Sequence, residues 1–266
     1  MLRKEHAKMR RKLLITGASG VIGNTLYQGL KQDSRYDVTG ADIVAEESQG
    51  IVQLDIADEA RLKELTQGID TVLHFAWMKD EDDFLGKVLQ GNVAGAYKLF
   101  EAAVQSGVKR IIFASSNHAT GFYKTDEQVE PSDPYRPDSF YGLSKCYIEL
   151  LGRLYADQGK ISSINIRIGN FPEDDRPHSE RAGHIWISGR DMLQLAICCI
   201  EADEGMKYLN LYGTSANKDN YYDIAYLEQL IGYKPQDDGA ELLEQAKAAG
   251  RKIRRDETAY QGGQKT

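Results

Sequence analysis

Tyr141 and Lys145, in the run Tyr141-Gly142-Leu143-Ser144-Lys145, have the types and spacing to do chemistry together. Positions four apart share one face of a helix, so both side chains can enter the same site. An unperturbed phenol titrates at roughly pH 10. A neighbouring ammonium favours the phenolate and lowers that value. A tyrosine tuned in this way can take a proton from a hydroxyl whose carbon is losing hydride. The spacing alone is common on helices. What adds weight is Ser115-Ser116-Asn117-His118, directly after the apolar run Arg110–Ala114. Two hydroxyls, an amide and an imidazole there sit at the C-terminal edge of a predicted strand, where open parallel sheets bind ligands. A serine in that place can hydrogen-bond the reacting oxygen beside the tyrosine.

A second constellation lies near the start. Gly17-Ala18-Ser19-Gly20-Val21-Ile22-Gly23 follows the apolar run Lys12–Thr16 and precedes a helical pattern over 20–31. Glycines at this spacing allow a tight turn and let the backbone approach a pyrophosphate, and the helix N-terminus supplies free N–H groups. In a strand–turn–helix context the signal points to a dinucleotide. Asp42, about twenty residues on, ends a predicted second strand (36–41). A carboxylate there accepts hydrogen bonds from ribose hydroxyls and repels a 2′-phosphate, which predicts NAD rather than NADP.

The elements that must position these groups alternate. Strands are predicted at 12–16, 36–41, 51–54, 71–75, 110–114, 161–168 and 207–212. Helices are predicted at 20–31, 58–65, 92–105, 141–157 and 188–201, with Asp58 and Ser188 as N-caps and Ser188/Asp191 as a capping-box variant. Strands separated by helices mean βαβ units and a parallel sheet, hence an α/β fold of the Rossmann-type doubly wound kind. Three prolines make 121–138 a loop, and 169–187 reads as a second, polar one. Residues 12–250 form the expected folded unit, with a small substrate lobe from 169–187 and 205–250, a basic tail at 1–11 and a polar tail at 251–266, the latter mobile or a docking arm.

Composition narrows the class. With 266 residues, 41% hydrophobic and 27% charged, the chain is globular in type. A net charge of −7 leaves no electrostatic footprint for nucleic acid or anionic lipid. No run approaches the ~20 apolar residues of a membrane helix. Cys146, Cys198 and Cys199 fit neither a disulfide framework nor a zinc site, so no metal is expected and a reducing cytoplasm is the expected setting.

Together the pieces resemble the extended short-chain dehydrogenase/reductase family over about residues 12–215. The resemblance rests on the glycine loop, Asp42, Leu54-Asp55-Ile56, the His74-Phe75-Ala76 turn, Asn92, the serine and Y-x-x-x-K. It implies Ser116, Tyr141 and Lys145 as the catalytic set. It places Gly17, Ser19, Gly20, Val21, Ile22, Gly23, Asp42, Asp55, Ile56, Phe75, Ala76, Trp77, Asn92, Tyr141, Lys145 and Ile168 about the cofactor. The acidic pair of nucleotide-sugar dehydratases is absent after Ser116. Arg167-Ile168-Gly169-Asn170, and Arg181 five residues before Trp186, are similar to a narrower group: the uronate dehydrogenases and archaeal NAD-dependent glucose-6-phosphate dehydrogenases. That likeness implies oxidation of the anomeric carbon of a sugar with an anionic C6 to its lactone. Ser116, Asn117, His118, Tyr141 and Asn170 would contact the sugar, and Arg181 would bind the anion. It also implies a homo-oligomer paired through 92–105 and 141–157. The rivals are a nucleotide-sugar epimerase or reductase and a non-catalytic NAD-binding regulator.

Overall fold

In the computed structural model, residues 10–78, 83–256 and 258–263 are described. Seven strands form one parallel sheet in the order β3-β2-β1-β4-β5-β6-β7. They are β1 (Arg11–Thr16), β2 (Tyr36–Asp42), β3 (Ile51–Gln53), β4 (Thr71–His74), β5 (Arg110–Ser116), β6 (Ser162–Ile168) and β7 (Tyr208–Gly213). The chain runs outward from β1 to β3, then restarts at β4 and proceeds the other way. The crevice between the C-terminal ends of β1 and β4 is therefore the topological switch point, where such sheets bind ligands.

Strand side chains alternate between two cores, as a pleated sheet covered on both faces requires. Leu13, Ile15 and Ile112 pack with α1 (Val21–Lys31) and α6 (Gly189–Glu201) on one face. Leu14, Ile111 and Phe113 pack on the other with α2 (Glu59–Thr66), α3 (Gly95–Gln105) and α4 (Phe140–Asp157). Cys199 belongs to the first core, and all three cysteines are unpaired. The short helices α5 (Glu180–Ile185), α7 (Tyr226–Ile231) and α8 (Gly239–Ala248) complete the C-terminal part.

The fold differs from the sequence expectation at several points. The helix expected over 92–105 is two elements. Phe84–Ala94 winds with π geometry, and α3 begins at Gly95. Asn92 thus lies in the π-wound segment, where its side chain grips the backbone of Met78 from both sides: Oδ1 accepts from the Met78 N–H at 2.9 Å and Nδ2 donates to the Met78 carbonyl at 3.0 Å. The polar stretch 169–187 contains α5, capped by Ser179, whose hydroxyl accepts from the Ala182 N–H. Asp58 and Ser188 cap α2 and α6 as expected. The capping box is only half formed, because Asp191 does not reach back. Its buried carboxylate accepts from the Ser215 hydroxyl and the N–H groups of Gln236 and Asp237.

Residues 254–256 and 258–263 form a strap between two loops. Gln261 is fully buried and donates to the carbonyls of Lys124 and Glu127, while the Gly262 N–H donates to the Gly121 carbonyl. The basic stretch at 1–11 lies outside the described residues except for Arg10 and Arg11.

Candidate active site

A cleft of about 890 Å³ lies across the switch point, within the usual size range of small-molecule sites. The glycine loop forms its floor. Gly17 adopts φ +77°, a left-handed conformation, and a Cβ there would collide with the backbone of Ala76 on the neighbouring turn. A Cβ at Gly23 would collide with the Gly17 carbonyl oxygen. Only glycine lets the β1 turn, the β4 turn and the start of α1 approach so closely. No side chain caps α1, so its first N–H groups and their partial positive charge are left to whatever lies in the cleft.

Asp42 closes the far side. Its carboxylate accepts from the Ser19 N–H at 2.9 Å and from the Ile43 N–H at 2.7 Å. Those two bonds fix its orientation and leave lone pairs for further donors. Beyond it, exposed Ile43 and Val44 join Leu54, Asp55 and Ile56 as a mostly apolar end suited to a flat base. Glycine cradle, open helix terminus, oriented carboxylate and apolar slot together fit a dinucleotide. Phe75, Ala76, Trp77 and Ile168 line the middle and far parts of the cleft. Asn92 lines it too, but its amide is committed to Met78; it shapes the wall.

At the reaction end, β5 and α4 converge. The two serines divide their work. Ser115, though it also lines the cleft, commits its hydroxyl to the buried carboxylate of Glu149. Ser116 keeps its hydroxyl at the strand end, accepting from the His118 N–H at 3.2 Å. Tyr141, in the first turn of α4, and Lys145, one turn on, reach the same cleft. The Lys145 ammonium donates to the Ala114 carbonyl at 2.7 Å and lies 5.3 Å from the Tyr141 ring centre. Complete burial pushes Lys145 well below its ordinary pKa, while the charge of Glu149 opposes that shift. His74, bonded to the Thr16 hydroxyl at 2.7 Å, is pushed down to about 3 by burial and then by the lysine, so it is neutral.

Of the residues read as sugar contacts, Ser116 and Tyr141 line the cofactor cleft, whereas Asn117, His118, Asn170 and Arg181 do not. The His118 ring stands edge-on to Tyr141 at 5.6 Å, and its Nδ1 pairs with the buried Asp138 carboxylate at 2.9 Å. Asn117 is buried, and its Nδ2 makes no hydrogen bond. Asn170 uses its backbone to bridge Trp186. Arg181 is half-buried and held by the strap: its Nη1 donates to the Gln261 carbonyl at 2.7 Å and its N–H to Asp256 at 3.1 Å. Asp138, Glu149, Phe171 and the strap are parts of the site that sequence reasoning did not single out. The one legible sign among them was the i, i+4, i+8 spacing of Tyr141, Lys145 and Glu149. Among the described residues no group of His, Cys, Asp and Glu could hold a metal ion.

Residues 13–192 match the model of the NAD dependent epimerase/dehydratase family, and the chain belongs to that family. It is an NAD-dependent oxidoreductase, and the dinucleotide of its cleft is NAD. A uronate dehydrogenase of Pseudomonas putida is 38% identical over 234 residues, covering 85% of this chain and 84% of that protein. An NAD-dependent glucose-6-phosphate dehydrogenase of Haloferax volcanii is 33% identical over 254 residues (88% and 96%), and an L-arabinose 1-dehydrogenase of the same organism 32% over 256 (88% and 99%). Among solved structures, a mutant uronate dehydrogenase from Agrobacterium tumefaciens complexed with NAD superposes with a TM-score of 0.84 at 30% identity, covering 96% of each chain.

The geometry at Asp42 sets a cofactor test. Asp42→Ala removes the charge that would face a 2′-phosphate. The ratio of kcat/KM with NAD to that with NADP should fall in the variant, measured side by side with the unaltered enzyme. Equal use of both cofactors by the unaltered enzyme would refute the assignment.

Proposed function

We propose that this enzyme oxidises the anomeric C1 of a sugar carrying an anionic C6, a hexuronate or hexose 6-phosphate, to its lactone. The observation that carries the reading is the convergence of Ser116, Tyr141 and Lys145 on one end of the cofactor cleft. Ser116 holds the C1 oxygen. Tyr141 takes the proton from that oxygen. Lys145 stabilises the phenolate form of Tyr141 by its charge and binds the cofactor's ribose. NAD⁺ bound in the cleft supplies the hydride acceptor. His118, oriented by Asp138, and Asn117 and Asn170 contact the remaining hydroxyls.

Arg181 receives the C6 anion. Its planar fork suits carboxylate or phosphate, and the Gln261 carbonyl orients the fork by holding one of its nitrogens. The named activities of the three relatives support C1 oxidation as the reaction class. They divide over the anion, since arabinose carries none. The buried and half-buried free thiols fit a reducing compartment such as the cytoplasm.

The enzyme works as a homo-oligomer in this reading. Leu143, Tyr147, Leu150 and Leu154 form an exposed apolar stripe at helical spacing along α4, with exposed Tyr97 beside it on α3. A second copy related by a two-fold axis would cover the stripe with its own.

Three outcomes test the reading. NADH should form with hexuronates or hexose 6-phosphates and not with nucleotide sugars, and Tyr141→Phe should lower that rate by on the order of 10²–10⁴-fold with NAD affinity nearly unchanged. Most of the activity surviving in Tyr141→Phe would remove the tyrosine from the mechanism. Arg181→Ala should cost roughly 2–5 kcal/mol in kcat/KM for the acidic sugar and little for the neutral parent aldose; a constant ratio between the two sugars would make Arg181 a packing residue. Light scattering should give a multiple of the chain mass that falls in Leu150→Glu/Leu154→Glu, and a monomeric unaltered protein would end the pairing proposal.

A further inference from the structure

The base reading leaves a physical difficulty at Lys145. Its ammonium must be charged to favour the phenolate of Tyr141, yet its side chain is buried and burial works against that charge. The groups that face it are few. On α4 they are Tyr141 and Glu149, and on β4 the neutral His74. On β5 there are only the Ala114 carbonyl and the Phe113 ring, 4.8 Å away. Arg167 on β6 lies behind Glu149 and already claims that carboxylate with its guanidinium. The carboxylate that would compensate the lysine is thus largely neutralised.

The remaining neighbour is Trp77. The Lys145 Nζ sits 3.3 Å from the centre of the indole, directly against its face. The same indole meets the Tyr141 ring at 85°, with centres 5.7 Å apart. Its own Nε1 is buried and has no hydrogen-bond partner, although a buried tryptophan ordinarily finds one. The ring is therefore held not by its polar atom but by its contacts with the lysine, the tyrosine and Phe113, whose ring centre is 6.2 Å away, and by the core beneath it. An aromatic face attracts a desolvated cation far more than a solvated one.

We propose that Trp77 is a positioning residue, whose face seats the Lys145 ammonium and whose edge sets the Tyr141 ring, so that the lysine stays charged beside the phenol. This rests on the reading of Tyr141 as the base. Without the ring, the ammonium loses its attraction and the lysine gives up its charge at lower pH. The phenolate is then less favoured, and Tyr141 ionises at higher pH.

The experiment compares Trp77→Leu and Trp77→Phe with the unaltered enzyme. With saturating NAD and sugar, the acid limb of the kcat profile should move up by about one pH unit in Trp77→Leu. The rate below that limb should fall about tenfold for each unit moved. Trp77→Phe, which keeps a smaller aromatic face, should restore part of the displacement. A cofactor-free readout accompanies it: the alkaline tyrosinate absorbance titration of each protein minus that of its Tyr141→Phe counterpart isolates Tyr141, and this difference curve should move in the same order. Coincident limbs and coincident difference curves in Trp77→Leu and the unaltered enzyme, with Tyr141→Phe inactive, would overturn the tryptophan's role and leave the base reading intact. An active Tyr141→Phe would overturn both.

Discussion

Glu149 and Arg167 form an ion pair with essentially no exposure, at 2.9 Å between Nη2 and Oε2. The glutamate carboxylate also accepts from Ser115 on β5, from Tyr135 in the proline loop at 3.0 Å and from Asn210 on β7 at 2.8 Å. The guanidinium lies between the rings of Tyr135 and Tyr212 and donates to the Tyr212 hydroxyl at 3.2 Å. Two charges taken out of water are tolerable only with such complete pairing. The arrangement gives the Ser116–Tyr141–Lys145 end of the cleft its geometry. It ties α4, which carries Tyr141 and Lys145, to the strand end that carries Ser116, and ties both to β6 and β7. A shift of any one element would strand a buried charge, so the elements hold one another in register.

In the proposed mechanism the reaction chemistry sits on the other side of that hub. Ser115 and Ser116 are neighbours with opposite allegiances, one to the buried pair and one to the cleft. Tyr141, Lys145 and Glu149 line one helix face, with the glutamate deepest. The site is consequently graded: fixed charges in the interior, a lysine held by a carbonyl and an aromatic face above them, and the phenol outermost. The proposed substrate side is supported differently. His118 and Arg181 lean on Asp138 and on the strap, which are contributed by loops and by the last described residues.

Much of this was legible in the amino-acid sequence because it is local. The glycine loop, the acid after β2, the alternation of strands and helices, and Y-x-x-x-K are all patterns within a few residues. Strand edges fell within a residue or two, since apolar runs end where glycine or a charge begins. The parts that were not legible depend on distant partners. Asn92 reads as a helical residue, and its two bonds to the Met78 backbone, fourteen residues away, leave no mark in the local pattern. Asp191 fits a capping box by spacing, but Ser215 and the 236–237 backbone take its carboxylate. The strap of residues 254–256 and 258–263 is mostly polar and carries no periodicity. Its order comes from carbonyls and donors more than seventy residues away, which no local reading supplies. Arg181 was read as a cation in a loop; its seat at Gln261 depends on the same strap.

The sequence contains two tryptophans, and they occupy contrasting environments. Trp186 is fully enclosed at the root of the C-terminal part. Trp77 lies at the wall of the cleft, against Lys145. Trp186 also bridges Asn170, between the cleft residues Gly169 and Phe171, so both indoles lie close to the cleft. Reduced nicotinamide absorbs in the range where indole emits, so NADH formed in the cleft should quench the emission of both rings, and the cleft carries its own optical gauge of cofactor state.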